Sequence, residues 1–315
     1  MDKINTSKKL FKIFFPVLFY GVLVLFIYIY AKNLDYEVIK SAEYNWWYVV
    51  FASFFGLFAR YWQIFIWYTL LSRLGASNLK DKIPDLIYVY AKSWLGRYIP
   101  GTAPWILGKI YFASKLGVSK NKLAISSLLE AGLQVASVTF ISLFLFSVDN
   151  RLNTIPTELK YISFAILIAI CVSLTPKVFN KVISILFSIM KKKSLGVEHQ
   201  IGGGTILRGF LFYSIGTLSA SFAFFLLTKS VYPELGYENL LFTMAAGSLA
   251  AVASMVAVFA PGGIGVREGV QLGLLRLIMP EELALLVTVL TRLWSTVMDL
   301  LFFVFSKLIS IYAKR

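Results

Sequence analysis

Residues 84–118 read PDLIYVYAKSWLGRYIPGTAPWILGKIYFASKLGV. Two apolar runs, 84–99 and 101–118, meet at Pro100-Gly101. Each falls short of the roughly 20 apolar residues that a bilayer crossing needs. They also carry Lys92, Arg97 and Lys109. Proline and glycine end one helix, and a new helix starts beyond them. The stretch therefore predicts a re-entrant hairpin of two half-helices. Such backbone is tolerated at membrane depth where protein or a water-filled cavity covers it.

A second stretch breaks in the same way, with 240–260 and 262–279 flanking Pro261-Gly262. Around the two hairpins, apolar runs at 13–31, 46–71, 123–147, 161–176, 206–228 and 283–306 predict six full spans. The first run lacks a small-x-small site after it and reads as an uncleaved anchor. Composition agrees: the 315 residues are 58% hydrophobic and 15% charged, with mean hydropathy +0.74. Soluble domains are about 45–50% apolar and about 25% charged. The expected fold class is an all-α, polytopic membrane protein; a water-soluble globule and a disordered chain are excluded. A single cysteine, Cys171, excludes an intramolecular disulfide and a cysteine-based zinc site, and a single histidine, His199, excludes a His-pair metal site. No metal and no cofactor is expected.

Charge orients the spans. With the N-terminus taken as cytoplasmic, the segments 1–12, 72–85, 109–122, 177–208 and 307–315 hold 20 Lys and Arg against 4 Asp and Glu. The exterior segments 32–45, 149–160, 229–239 and 276–282 hold 6 against 9. Basic residues gather on one side, as the positive-inside rule requires. The net charge of +15 is thus read as topology, with both termini cytoplasmic, and not as nucleic-acid binding. Lys191-Lys192-Lys193 is expected to attract anionic lipid as well. Charge alone leaves open whether 240–279 forms two full spans or a hairpin.

The order span, span, broken pair, span occurs twice. Pro100-Gly101 and Pro261-Gly262 are offset by nearly the same number of residues as Leu123-Ala124 and Leu283-Ala284. Three spans per half is an odd number, so the second copy would sit upside down. Inverted repeats with broken helices are a transporter pattern. The expected organisation is one transmembrane domain, with repeat one at 1–148 and linker plus repeat two at 149–315. Gly202-Gly203-Gly204 reads as part of a flexible joint between them. Chance symmetry of hydropathy is the competing explanation.

Outside the loops, eight charges lie in apolar runs: Arg60, Lys92, Arg97, Arg267 and Arg292 with Glu130, Glu268 and Asp299. Each costs about 2.5–3.5 kcal/mol at a helix centre, so a wet cavity or ion pairing must hold it. Gln63 follows Arg60 at i+3; Gln134 follows Glu130 at i+4; Thr288, Arg292, Ser295, Thr296 and Asp299 form one stripe. The net charge of this set is +2, a bias towards an anion. A half-helix beginning after each Pro-Gly break would present unsatisfied N–H groups and a positive dipole end. Gly262, Gly263 and Gly265 let a head group approach the backbone, and Arg267 adds a forked donor for phosphate. For any one charge, a structural bridge between helices is an equally good reading. No nucleotide-binding loop is present, and His199 falls in a loop, so a Ser-His-Asp triad in the cavity is not available.

The segments RYIPGTAPWILGKIYFASKLGVSKNKLAISSLLEAG at 97–132 and APGGIGVREGV at 260–270, with Arg292, resemble the lysylphosphatidylglycerol synthase transmembrane-region family. The resemblance covers nearly the whole chain, and PGGIGxREG carries most of its specificity. It implies a flippase-like protein of the bacterial or archaeal cytoplasmic membrane. It carries over Arg97, Pro100, Gly101, Gly108, Lys109 and Glu130 in the first half, and Pro261, Gly262, Gly263, Gly265, Arg267, Glu268 and Arg292 in the second, as substrate-binding residues. Arg60, Gln63, Gln134 and Asp299 are secondary candidates from the charge reading. Bifunctional members follow these helices with a soluble aminoacyl transferase domain; this sequence stops at Arg315, so no synthase half is expected.

The leading expectation is a non-enzymatic translocator of a phospholipid or a polyprenyl-phosphate-linked lipid through a polar cavity between two inverted halves. Two alternatives stay open: an intramembrane lipid transferase with Glu130 or Glu268 as base, and a non-catalytic partner of a glycosyltransferase. A homo-oligomer is a further partner expectation.

Overall fold

The computed structural model describes residues 43–314 except 77–78, 99–102, 150–156, 192–199, 258–262 and 264, together with Tyr28, Lys32, Glu37 and Lys40. The expected span 13–31 (Tyr28 apart) and both Pro-Gly pairs, Pro100-Gly101 and Pro261-Gly262, lie outside the described residues. Among the described residues all regular structure is helical. The α-helices are α1 (Trp46–Arg73), α2 (Ile83–Trp94), α3 (Ala103–Ser114), α4 (Lys120–Val148), α5 (Thr157–Ser173), α6 (Pro176–Lys191), α7 (Gly203–Val231), α8 (Leu240–Val256), α9 (Val266–Leu275) and α10 (Glu281–Tyr312).

The long apolar runs at 46–71, 123–147, 206–228 and 283–306 fall within α1, α4, α7 and α10. The shortest of these has 28 residues, about 42 Å at about 1.5 Å per residue, which exceeds a hydrocarbon core of about 30 Å. Asn45 caps α1 by accepting the Trp47 N–H at 3.1 Å. Together with Tyr237–Val256, these make five helices among the described residues that are long and apolar enough to cross a membrane. Their outward faces are apolar and exposed, as at Phe51, Phe54 and Phe58 on α1 and Leu293, Val297 and Leu300 on α10. Lipid tails, not water, suit such faces.

α2 and α3 form the first expected hairpin. Each has 12 residues, about 18 Å, too short to cross. Ser93 faces Gly108, and Gly96 faces the backbone at Trp105; Lys92 lies 4.2 Å from the Phe112 ring. These pairings run antiparallel. A Cβ on Gly96 would stand 3.0 Å from the Trp105 nitrogen, so glycine permits this close approach.

Two expectations are corrected, and the second broken pair differs from the first. The run 161–176 is followed by a second helix where a loop was expected. α5 ends at Ser173, and after Leu174 and Thr175 the chain bends by 82° into α6, inside the segment expected to be loop. Pro176 disfavours helix at Thr175 and suits the first turn of a new one. The second hairpin is asymmetric: α8, extended by the turn at Tyr237–Asn239, is long enough to cross, whereas α9 has only 10 residues. Gly203 and Gly204 belong to the first turn of α7, with Gly202 as its N-cap, and so are not part of a joint. Glycine is accepted at an N-cap, and a Cβ on Gly203 would stand 3.0 Å from the Pro176 ring.

The long helices pair across the chain. α1 packs along α7: Trp62 Nε1 donates to the Phe212 carbonyl at 2.8 Å, Ser219 Oγ to the Phe55 carbonyl at 3.0 Å, and the Phe55 and Phe222 rings meet edge to face at 5.0 Å. α4 packs on α8 through Ser142 Oγ and the Ala245 carbonyl at 3.2 Å and through Phe146 and Phe242. α10 packs on α2 through Ser310 Oγ and Asp85 Oδ1 at 2.7 Å and through Tyr88 and Phe303. Each long helix that follows a broken pair thus packs against the helix that opens the other broken pair.

Candidate functional site

α1 presents Gly56, Ala59, Arg60 and Gln63 along one face, and α7 presents Tyr213, Gly216, Thr217, Ala220 and Ser221 along another. Spacings of three and four keep each set on one side of its helix. Between these faces, α8, α10 and the end of α2 enclose a cavity of about 170 Å³. Its polar lining centres on Arg60, Arg97, Arg267, Gln63 and Gln134. The small residues keep it open and let its walls approach: a Cβ on Gly56 would lie 2.4 Å from the Trp294 ring.

Asp299, on α10, organises one wall. Its Oδ1 accepts from Arg60 Nε at 2.7 Å and from Trp94 Nε1 at 3.1 Å; its Oδ2 accepts from the Tyr98 hydroxyl at 2.7 Å. Arg97 Nη1 stands 3.9 Å from Oδ2, and its guanidinium lies 4.4 Å from the Trp94 ring centre. Arg60 also donates to the Gly56 carbonyl at 3.0 Å and the Ser295 carbonyl at 3.1 Å. A carboxylate at 1% exposure is stabilised only by such complete pairing. One carboxylate faces two arginines here, so the wall stays positive.

Glu130, on α4, organises a second centre behind that wall. It accepts from Lys109 of α3 and from the Tyr90 hydroxyl of α2. The Lys109 ammonium is enclosed by Trp105, Tyr90 and Trp67, with ring centres at 4.1, 4.9 and 5.6 Å. Lys109 and Glu130 are fully buried and do not line the cavity. The connection runs through Tyr90, whose hydroxyl is 3.2 Å from Gln63 Oε1 on the cavity lining. Gly108 lies against Ser93 and lets α3 approach α2.

In the second half, Gly263 and Gly265 have φ of +68° and +85°. A Cβ on Gly263 would lie 1.8 Å from Ser254 Oγ, so both conformation and space demand glycine there. Gly265 caps α9, and its N–H donates to Glu268 Oε2 at 2.7 Å. Glu268 Oε1 is 3.6 Å from Arg292 Nε on α10. The start of α9, expected to meet a substrate anion with its N–H groups, therefore already holds a carboxylate of the chain itself. Arg267, the next residue but one, lines the cavity. Among the described residues, no hydrogen bond or ion pair engages its guanidinium.

The candidates thus divide. Arg97, Arg267, Arg60, Gln63 and Gln134 meet at the cavity. Asp299, Glu130, Lys109, Glu268 and Arg292 form ion pairs around it. Pro100, Gly101, Pro261 and Gly262 lie outside the described residues. Sequence reasoning missed Tyr90, Trp94 and Tyr98, which donate to Glu130 and Asp299, and the face of α7 that lines the cavity. Small and polar residues at helical spacing over 213–221 were the available signal for that face.

A helical membrane protein with a cationic cavity between its long helices is the class that fold and site define. The chain belongs to the lysylphosphatidylglycerol synthase TM region family, whose model matches residues 13–302. It is accordingly an integral membrane protein of a family concerned with lipids or their head groups. Comparison with curated proteins gives no match.

Proposed function

We propose that the chain translocates a lipid with an anionic head group, a phospholipid or a polyprenyl-phosphate-linked lipid, across the membrane. The observation that carries this reading is the convergence of Arg60, Arg97 and Arg267 on one intramembrane cavity, with Asp299 paired to the first two. A phosphate entering this excess of positive charge meets planar, forked donors that match its oxygens. Gln63 and Gln134 offer further hydrogen bonds to sugar or glycerol hydroxyls. The tails stay in the bilayer.

Movement follows from two inverted halves. Support comes from the reciprocal packing of α4 on α8 and α10 on α2, with α1 against α7 between them; two inverted copies produce such an exchange. Rocking of one half against the other carries the head group across. The excess of Lys and Arg in 1–12 and 307–315 supports cytoplasmic termini.

The carboxylates argue against a transferase. Glu130 is committed to Lys109 and Tyr90, and Glu268 to the start of α9 and Arg292. Neither lines the cavity, where a base would have to meet the substrate.

The test is reconstitution of the full chain into vesicles that contain a head-group-labelled anionic phospholipid, with label accessibility and lipid products followed together. The expected result is translocation without a new product, lost in Arg267→Gln while thermal unfolding in detergent is unchanged. Translocation at the parental rate in that variant, or accumulation of a modified lipid, overturns the reading.

A further inference from the structure

The helix α6 has three faces. Phe179, Ile183 and Phe187 are buried, packed in one cluster with Leu129 and Leu133 of α4 and Ile206 of α7. Val178, Val182, Ile185 and Ile189 are apolar yet exposed, in a neighbouring stripe. The third face carries Lys177, Asn180, Lys181, Ser184 and Ser188, and α6 contains no acidic residue. One apolar half against protein, one apolar half uncovered and a basic strip is the pattern of a helix lying in a membrane interface. The 82° bend after α5 supplies the orientation: if α5 runs across the bilayer, α6 lies nearly in its plane.

The basic face is also the wall of a cleft. Lys177, Asn180, Lys181 and Ser184 line it from α6, and Gln200, Ile201 and Gly202 line it from the segment entering α7, enclosing about 710 Å³. Asn180 fixes the cleft's shape. Its amide donates to the Ile201 carbonyl at 2.9 Å, and its Oδ1 accepts the Ile201 N–H at 2.9 Å. The uncovered apolar stripe and the basic cleft are adjacent, so one amphiphile satisfies both: acyl chains along Val178, Val182 and Ile185, and a phosphate between Lys177 and Lys181.

We propose that α6 is an interfacial helix and that its cleft is a second lipid site, which holds the head group of an anionic phospholipid of the surrounding leaflet. It stands apart from the central cavity and does not depend on what that cavity carries. Through Asn180 and Ile201 an occupied cleft bears on the start of α7, the helix that packs along α1.

The test uses the full chain in nanodiscs with a photoreactive phosphatidylglycerol, adducts being mapped by peptide mass. The expected result is labelling within 176–191 and 200–204, competed by unlabelled phosphatidylglycerol but not by phosphatidylcholine or inorganic phosphate. Neutralisation as Lys177→Gln and Lys181→Gln raises the half-saturating lipid concentration about fivefold for each lysine, while Lys177→Arg with Lys181→Arg leaves it near the parental value. No adduct in these segments, equal competition by phosphatidylcholine or by inorganic phosphate, or labelling indifferent to both Gln substitutions overturns the proposal. The competition on the parental chain decides the matter even if a Gln variant folds poorly.

Discussion

Arg60 and Asp299, 239 residues apart in sequence, meet inside the membrane at 2.7 Å, the arginine from α1 and the carboxylate from α10. Both are buried, and the same carboxylate also holds Trp94 and Tyr98 at the end of the first hairpin. One residue of the last long helix therefore fixes α1 and the α2–α3 hairpin together. Removing one member of a buried pair costs about 3–5 kcal/mol, because the other charge is left without compensation. Asp299→Ala is expected to lower stability by that order, and Arg60→Met with Asp299→Leu to cost less than either single change. Thermal unfolding of the purified chain in detergent measures both.

The Lys109–Glu130 pair behaves in the same way but tests a different point. Because both side chains are buried away from the cavity, they act through structure and not through contact with a guest. Lys109→Met is expected to destabilise strongly, and adding Glu130→Gln is expected to recover much of the loss. Recovery of transport together with stability in the double variant checks the assignment; a folded double variant that binds no lipid contradicts it.

Gly56 sets the distance between α1 and α10. A methyl group there would meet the Trp294 ring at 2.4 Å and displace an indole whose Nε1 donates to Ser53 at 3.0 Å. Gly56→Ala is expected to cost about 1–3 kcal/mol and to narrow the cavity that Gly56 and Trp294 both line. Transport rate and melting temperature, read together, separate the two effects. The further change Trp294→Phe removes bulk and is expected to restore part of each.

Much of this architecture is legible in the sequence. The runs at 46–71, 123–147, 206–228 and 283–306 match α1, α4, α7 and α10 because about 20 apolar residues in sequence have one stable form in a bilayer. The first hairpin was legible because its runs are short and carry Lys92, Arg97 and Lys109. α6 was hidden: its lysines counted as loop charge, and an amphipathic helix in the interface raises neither mean hydropathy nor run length. Pairing was hidden too. The stripe from Thr288 to Asp299 showed that α10 has a polar face, but nothing in its spacing says that Asp299 meets Arg60 while Arg292 meets Glu268. Tyr90 and Tyr98 count as mildly apolar in a hydropathy scan, so their service to buried carboxylates appears only in three dimensions.

The central claim is that the cavity among Arg60, Arg97 and Arg267 receives an anionic head group. Its most direct measurement is an electron cryomicroscopy map of the full chain in nanodiscs of an anionic phospholipid. Phosphate density is expected within hydrogen-bonding reach of at least two of these three guanidinium groups, and is expected to be lost in Arg267→Gln. A well-resolved cavity filled by acyl chains, or a map in which the arginines face only protein, contradicts that claim.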